Sequence, residues 1–143
     1  MLAANASPLP IPRWAKSGKT KSSEFGWGEI FERDGKRCVY CLKDLSVDID
    51  GLLSITQDHL FPQSQGGGNH LANLVTCCAV CNGLKRHLMP NQKDWKSRKM
   101  YIQACRQMID TARKERIKRY EKYLGRKPAE VFDSSNPNQQ DYI

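Results

Sequence analysis

The spacing of hydrophobic residues near the start of the chain predicts a short amphipathic helix. In the stretch EFGWGEIFERDG, Phe25, Trp27, Ile30 and Phe31 recur at helical spacing, and the pattern stops near Gly35. The preceding residues are rich in Pro, Ser, Lys and small side chains, a composition that indicates a mobile arm. The folded part of the chain is therefore predicted to begin close to residue 23.

The pattern in the middle of the chain predicts strands followed by a helix. The stretch LSVDIDGLLSITQDHLF is β-branched and apolar but is broken at Asp50 and Gly51, a turn signal. It indicates a hairpin whose second strand ends at Asp58 and His59. The short apolar stretch NLVTCC predicts a further strand, and AVCNGLKRHL predicts a helix of about two to three turns that is ended by Pro90.

A long helix is predicted from Asp94 or Ser97 to about Leu124. The apolar residues that recur near helical spacing in it are Tyr101, Cys105, Met108, Ala112, Tyr120 and Leu124. This stripe predicts packing against the core, with the basic residues of the helix facing outward. The final stretch, GRKPAEVFDSSNPNQQDYI, has the composition of a disordered tail.

Length and composition indicate one small domain with flexible ends. The chain has 143 residues, of which 39% are hydrophobic, enough for a modest core. We predict a mobile arm at 1–22, a core at 23–92, a basic helix packed on the core at 93–127 and a disordered tail at 128–143. The sequence has neither the long apolar run of a membrane span nor the opening of a signal peptide, which predicts an intracellular, cytoplasmic protein with no membrane partner.

Four of the six cysteines form two pairs with the same spacing, Cys38-x-x-Cys41 and Cys78-x-x-Cys81. Disulfides are the alternative, but paired Cys-x-x-Cys motifs in a non-secreted chain favour one tetrahedral structural Zn²⁺. Cys77 does not fit the two-residue spacer. The remaining cysteine lies in the long helix and is predicted to be a small buried residue.

The positive charge is confined to one segment. Residues 97–127 contain 11 Lys or Arg and 3 Asp or Glu, a net charge of +8, which equals the net charge of the whole chain. The other residues therefore sum to zero. Such a segment indicates a nucleic-acid contact, although a charge run by itself is also typical of a solubilising helix face.

The spacing between the cysteine pairs predicts how these parts meet. Thirty-six residues separate Cys41 from Cys78, more than the roughly 15–20 of a simple zinc ribbon. If one zinc joins both pairs, it clamps a β-β-α unit, and the strand ending in Asp58 and His59 packs beside the helix that carries Asn82. The other two histidines, His70 and His87, lack the spacing of zinc-finger ligands and are predicted to be surface residues.

The stretches CVYC and QDHLFPQSQGGGNHLANLVTCCAVCNGLK resemble the HNH endonuclease family, also called ββα-metal or His-Me finger nucleases. The resemblance runs from about Cys38 to Lys85 and consists of Cys-x-x-Cys, Asp-His, Gly-Gly, Asn-Leu and Cys-x-x-Cys-Asn in order. The final His of the family name is replaced by Asn82, as in the His-Asn-Asn variant. The resemblance implies an α+β fold, a small ββα-metal unit stapled by a four-cysteine zinc site, with flanking helices.

The resemblance also implies roles for individual residues in a metal-dependent hydrolysis of phosphodiester bonds in DNA. His59 would be the general base, and Asp58 and Asn82 would bind one Mg²⁺ or Mn²⁺. Asn73 would secure the loop that positions His59. The glycines of the loop, 66–68, would let it fold tightly and let a phosphate backbone approach.

The nucleic-acid contacts are predicted from charge and helical spacing. Lys85 and Arg86 share a helix face with Asn82, which makes them candidates for phosphate contact, with plain solvation as the alternative. In the long helix the candidates are Arg113, Arg116 and Lys118.

Two other functions stay open at this point. A non-catalytic zinc module that binds nucleic acid is the main alternative, and a small zinc-stapled interaction domain is the other. Neither needs Asp58, His59 and Asn82 together. RNA stays an alternative substrate, and the chain is expected to be a monomer or a weak homodimer.

Overall fold

The computed structural model describes residues 10–16 and 26–128. Its helices and strands are α1 (Arg13–Lys16), α2 (Gly26–Arg33), α3 (Ile49–Leu53), β1 (Ile55–His59), β2 (Leu74–Cys78), α4 (Ala79–Lys85) and α5 (Arg98–Leu124). Short 3₁₀ turns lie at Gln63–Gln65, Leu71–Asn73 and Gln92–Lys96. The fold is α+β, as predicted. Among the described residues, no helix combines the length and the apolar character that a membrane crossing requires.

The centre of the fold is a β-β-α unit. Strand β1 pairs antiparallel with β2, so that Asp58 lies opposite Val75 and His59 lies opposite Leu74. Helix α4 begins directly after β2, and Cys78 caps it. Since every residue of β2 is buried, the sheet holds β1 in one register, and the predicted strand end at His59 is confirmed.

The predicted hairpin before β1 is wrong. Residues Ile49–Leu53 form a helical turn, because the side chain of Asp48 accepts a hydrogen bond from the backbone N–H of Gly51 at 2.6 Å. Asp48 is therefore an N-cap, and Gly51 is a buried helical residue. The antiparallel partner of β1 is β2, which follows it in the chain.

An aromatic cluster joins the β-β-α unit to the flanking helices. The rings of Phe61 and Trp95 lie 4.9 Å apart, and those of Trp14 and Tyr101 lie 5.0 Å apart, both in edge-to-face arrangements. Ala15 of α1 is fully buried against the same core. Residues 10–16 therefore do not form part of a mobile arm. The rest of the predicted arm and the predicted tail from residue 129 onward lie outside the described residues.

Helix α5 is capped at both ends. The Ser97 hydroxyl accepts a hydrogen bond from the backbone N–H of Met100 at 3.1 Å, and Gly125 ends the helix with a φ of +66°. Cys105 is buried, as predicted. The predicted apolar stripe does not reach the core along its whole length, however, because Tyr120 and Leu124 are exposed.

Candidate functional site

The four cysteines predicted to bind zinc come together. The Sγ atoms of Cys38, Cys41, Cys78 and Cys81 all lie within 4.8 Å of one another. The Cys41 and Cys78 sulfurs are 3.9 Å apart. Zinc–sulfur bonds of about 2.3 Å in a tetrahedron require sulfur atoms about 3.8 Å apart. All six cysteines are free thiols, so the cluster has the geometry of a metal site and contains no disulfide.

Backbone hydrogen bonds shape both halves of this cluster. The N–H of Leu42 donates to the carbonyl oxygen of Cys38 at 2.9 Å, and Leu42 has a positive φ of 64°. This tight turn points both cysteines of the first pair to one side. In the second pair, the N–H of Cys81 donates to the Cys78 sulfur at 3.4 Å. The N-terminal end of α4 therefore supplies the other two cysteines of the cluster.

The electrostatics of the cysteine cluster favour a cation. Hydrogen bonds from Cys41 and the neighbouring thiols strongly lower the pKa of Cys38. Hydrogen bonding to Cys38 raises the pKa of Cys81. The thiols thus compete for the same hydrogen bonds, whereas a divalent cation would stabilise several thiolates together. A metal such as zinc fits this donor set.

Arg113 lies against the cysteine cluster instead of on the outward face of α5. Its guanidinium donates to the Cys81 sulfur at 3.5 Å. Burial opposes the charge of Arg113, but the bond to the Cys81 sulfur raises its pKa. Only one nitrogen of the half-buried guanidinium makes this contact, so the contact of Arg113 with phosphate stays a prediction. Cys77, in contrast, is outside the cluster, and its thiol donates to the carbonyl oxygen of Cys78 at 3.2 Å.

Asp58 takes part in a buried ion pair. Its Oδ2 accepts a hydrogen bond from the Tyr40 hydroxyl at 2.5 Å and lies 2.9 Å from Lys85 Nζ. Burial and the charge of Asp58 raise the pKa of Tyr40 well above its usual range, so the hydroxyl keeps the proton that it donates. Lys85 Nζ also donates to the backbone oxygen of His59 at 3.2 Å. The ammonium group therefore ties α4 to the end of β1.

This arrangement corrects the prediction for Lys85. The residue is 1% exposed, so it does not offer its charge to a phosphate on the surface. Lys85 is four residues after the buried Cys81, which is the spacing of residues on the same inward side of a helix. That spacing was the available signal that its charge would need a buried partner.

Asp58 and His59 end β1, and Asn82 lies on α4. These two elements contact each other, and we call their contact region the seam. The Asn82 Nδ2 donates to the Thr56 hydroxyl at 3.2 Å, and Thr56 and Asp58 lie on the same face of β1 because side chains alternate along a strand. The His59 Nε2 is buried and has no hydrogen-bond partner among the described residues. A buried, unpartnered imidazole nitrogen is available for a ligand or a proton.

The loop after β1 is held by Asn73. Its side-chain oxygen accepts from the N–H of Phe61 at 2.8 Å. Its amide group donates to the carbonyl oxygens of Phe61 at 3.0 Å and of Gly68 at 2.8 Å. The amide therefore closes the loop across its base, directly after His59. Gly67 is required by this closure, because a Cβ atom there would overlap the Phe61 carbonyl oxygen.

The prediction that His70 is a surface residue is wrong. The ring is 4% exposed, and its Nε2 donates to the carbonyl oxygen of Ala15 at 2.8 Å. The histidine anchors α1 to the loop, and the sequence pattern contained no signal for this long-range partner. His87 is exposed, as predicted.

A cationic groove of about 390 Å³ lies between the end of α4 and α5. Helix α4 stops at Lys85, earlier than predicted, because Arg86 adopts a positive φ of 48°. The charged or titratable residues that line the groove are Arg86, His87, Glu115, Arg116 and Arg119. Lys118 is exposed on α5 but does not line the groove. The sequence therefore missed Arg119, and it also missed Tyr40 and Thr56 as partners of the candidate residues.

The segment that contains this site resembles a known family. A family model described as HNH endonuclease matches residues 38–94, which include the cysteine cluster, β1, β2 and α4. Neither a curated protein nor a solved structure matches the chain. The match covers fewer than half of the residues and confirms the resemblance inferred from the motifs. The cysteine cluster agrees with the zinc-stapled variant.

Proposed function

We propose that the chain, which matches the HNH endonuclease family over residues 38–94, is a metal-dependent endonuclease that hydrolyses phosphodiester bonds in DNA. The observation that carries this proposal is the buried seam between β1 and α4. There His59 has an unpartnered ring nitrogen, the neighbouring Asp58 is paired with Lys85 at the end of α4, and Asn82 of α4 contacts Thr56 of β1. The family match supports a nuclease, and the seam supports the particular residues.

His59 would act as the general base. An imidazole nitrogen that has no hydrogen-bond partner is left to act as the proton acceptor for a water molecule bound beside it. The backbone oxygen of His59 is held by Lys85, and the following residue is held by Asn73, whose carbonyl oxygen accepts from the Leu60 N–H at 2.8 Å. Both contacts fix the backbone that carries the imidazole, and a fixed base improves catalysis.

Asp58 and Asn82 would hold one Mg²⁺ or Mn²⁺, because carboxylate and amide oxygens are the donors that these ions prefer. Tyr40 and Lys85 both engage Oδ2 of Asp58, so Oδ1 is the oxygen left for the ion. Asn82 uses its amide nitrogen toward Thr56, so its oxygen is also left. When bound, the ion would supply charge stabilisation for the scissile phosphate and the leaving oxygen.

The four clustered cysteines would hold a structural Zn²⁺ that is separate from the catalytic ion. Thiolates are soft ligands that suit zinc, and a closed set of four leaves no open position for substrate. The zinc would join the turn that carries Tyr40 to the start of α4. In this way the structural ion would stabilise both partners of Asp58, since Tyr40 lies between Cys38 and Cys41, and Lys85 ends α4.

The DNA backbone would lie along the cationic groove beside α4. Arg86, directly after α4, and Arg116 of α5 line it, and Arg119 adds a third positive charge. Lys118 would contact phosphate from a neighbouring exposed position on α5. Phosphate contacts of this kind position a protein on nucleic acid without reading its sequence. RNA, which presents the same phosphates, is the second candidate substrate.

Cleavage of supercoiled plasmid tests the proposal directly. Zinc-loaded protein, freed of other divalent ions, should be inactive and should convert the plasmid to nicked or linear forms after Mg²⁺ or Mn²⁺ is added. The His59→Ala variant should bind the same DNA and not cut it. DNA binding without cleavage by the wild-type protein under all these conditions would instead support the non-catalytic binding module. A parallel RNA substrate distinguishes the two nucleic acids.

A further inference from the structure

The last part of α5 extends beyond the core. The helix is 27 residues long, or about 40 Å at 1.5 Å per residue. Its buried residues end at Ile109, and every residue from Lys114 to Tyr120 is exposed. Most of the stability of a helix in a protein comes from packing of an apolar face. The distal part of α5 lacks such packing among the described residues.

This distal part nevertheless carries an apolar face, which we call the α5 stripe. Its members are Ile117, Tyr120, Tyr123 and Leu124. Tyr120 comes eleven residues after Ile109, about three helical turns, and therefore lies on the same side of α5. Ile109 is 3% exposed, whereas Tyr120 is 58% exposed. The stripe is thus the core-facing side of the helix, continued past the edge of the core.

A second apolar surface lies on and before α3, and we call it the α3 patch. Its members are Val47, Ile49, Leu52 and Leu53, all of them exposed. Ile49, Leu52 and Leu53 are spaced three and four residues apart, so they share one side of the helical turn. Leu53 is 80% exposed. Four large exposed apolar residues within one short segment are typical of a protein–protein contact.

The charges that flank these two surfaces are opposite. The α3 patch is interrupted by Asp48 and Asp50, both exposed, and has no basic residue between 47 and 53. Residues 114–127 around the α5 stripe hold seven basic and two acidic residues, a net charge of +5. Acidic and apolar surfaces do not suit the phosphates of nucleic acid, so the α3 patch would suit a protein partner that is apolar and basic.

We propose that this partner is a second copy of the chain, with the α5 stripe of one protomer packed on the α3 patch of the other. Both surfaces are present on the same chain, exposed, apolar and of opposite charge. If the two contacts are reciprocal, they close a twofold dimer and leave neither surface exposed. Lys118 and Lys122 lie on the opposite side of α5 from Tyr120, since residues two apart do not share a helix face, and stay available for phosphate.

The proposal does not depend on the proposed function. If the chain is also an endonuclease, a dimer has two active sites and offers one to each strand of a duplex. A dimer without cleavage would leave the interface inference intact, and a monomeric chain would remove it whether or not it cleaves.

Sedimentation velocity of the zinc-loaded full chain without DNA tests the contact. The wild-type protein should sediment as a dimer at tens of micromolar, and added salt should weaken the association. Tyr120→Asp and Leu53→Asp should each raise the dissociation constant about tenfold or more, because each places a charge in an apolar contact. Leu88→Asp, the same kind of change at an exposed residue outside both surfaces, should leave the constant unchanged.

A mixing experiment distinguishes the proposed pairing from other dimers. The Leu53→Asp chain keeps an intact α5 stripe, and the Tyr120→Asp chain keeps an intact α3 patch. A mixture, with one chain fluorescently labelled, should form a heterodimer through the one intact contact, although each chain alone is monomeric. A monomeric wild type, open polymers, or a mixture that fails to associate while circular dichroism shows both variants folded would overturn the proposal.

Discussion

Replacement of Lys85 by Met measures how much the buried ion pair stabilises the fold. The side chains of Lys85 and Asp58 are 2% and 10% exposed, and their charged atoms lie 2.9 Å apart. Methionine has a similar length but no charge, so Lys85→Met leaves the Asp58 carboxylate buried without its cation. The Tyr40 hydroxyl donates one hydrogen bond to it but cannot neutralise the charge. Removal of one partner from a buried pair typically costs about 3–5 kcal/mol.

A matched control is present on α5. Lys114 Nζ lies 2.7 Å from Asp110, but these side chains are 70% and 57% exposed. Lys114→Met should therefore lower the free energy of unfolding by less than about 1 kcal/mol. Denaturant unfolding of zinc-loaded protein, followed by circular dichroism, measures both variants on one scale. The two lysines have similar distances to their carboxylates and differ mainly in burial.

A double variant distinguishes the ion pair from simple packing. In Lys85→Met with Asp58→Asn, no charge is left buried, so stability should recover, with a coupling between the two substitutions of about 2 kcal/mol or more. If Lys85→Met cost no more than Lys114→Met, the pair would be solvated in solution. If the double variant showed no coupling, Lys85 would stabilise α4 by its contact with the His59 backbone or by its alkyl stem alone.

Three further outcomes are expected. Cys78→Ser should lose the bound zinc and unfold, since metal binding and folding are coupled in such sites. Elemental analysis of freshly purified Cys77→Ser should still find one zinc per chain. A folded wild-type protein without zinc would contradict this. His59→Ala should abolish plasmid cleavage with little change in DNA affinity; wild-type rates from His59→Ala would show that another group is the base. Arg116→Gln should reduce the slope of log affinity against log salt concentration by about 0.9. It should weaken binding to unrelated DNA sequences equally. An unchanged slope would mean that this guanidinium does not contact phosphate.

The local elements could be predicted from the sequence because short-range interactions determine them. Ser97 and Gly125 cap α5 with their own neighbours, and the burial of Val75 and the residues around it follows from an apolar run. The paired cysteine spacings were sufficient to select the four clustered thiols out of six. Asp48 is the exception among the local signals, because its capping of Gly51 outweighed the turn that Asp50-Gly51 indicated.

The partners of the candidate residues could not be read from the sequence, because they are distant in the chain. Tyr40 meets Asp58 across 18 residues, and His70 meets Ala15 across 55. Lys85 illustrates the difference best. Its helical spacing correctly put it near the candidate site, but only the packing of α4 on β1 decided that its charge is buried against Asp58 and not presented to phosphate. Spacing determines the direction of a side chain, whereas the neighbouring element determines whether water or protein lies in that direction.

The neighbouring elements also decide how much of α5 is buried. The sequence determined an apolar stripe from Tyr101 to Leu124, which Arg113 and Arg116 interrupt before it resumes at Ile117. The core, however, extends only as far as the other elements that form it, so burial ends after Ile109. Periodicity reports which side of a helix is apolar, and only the tertiary structure decides how much of that side the protein covers and how much it leaves for a partner.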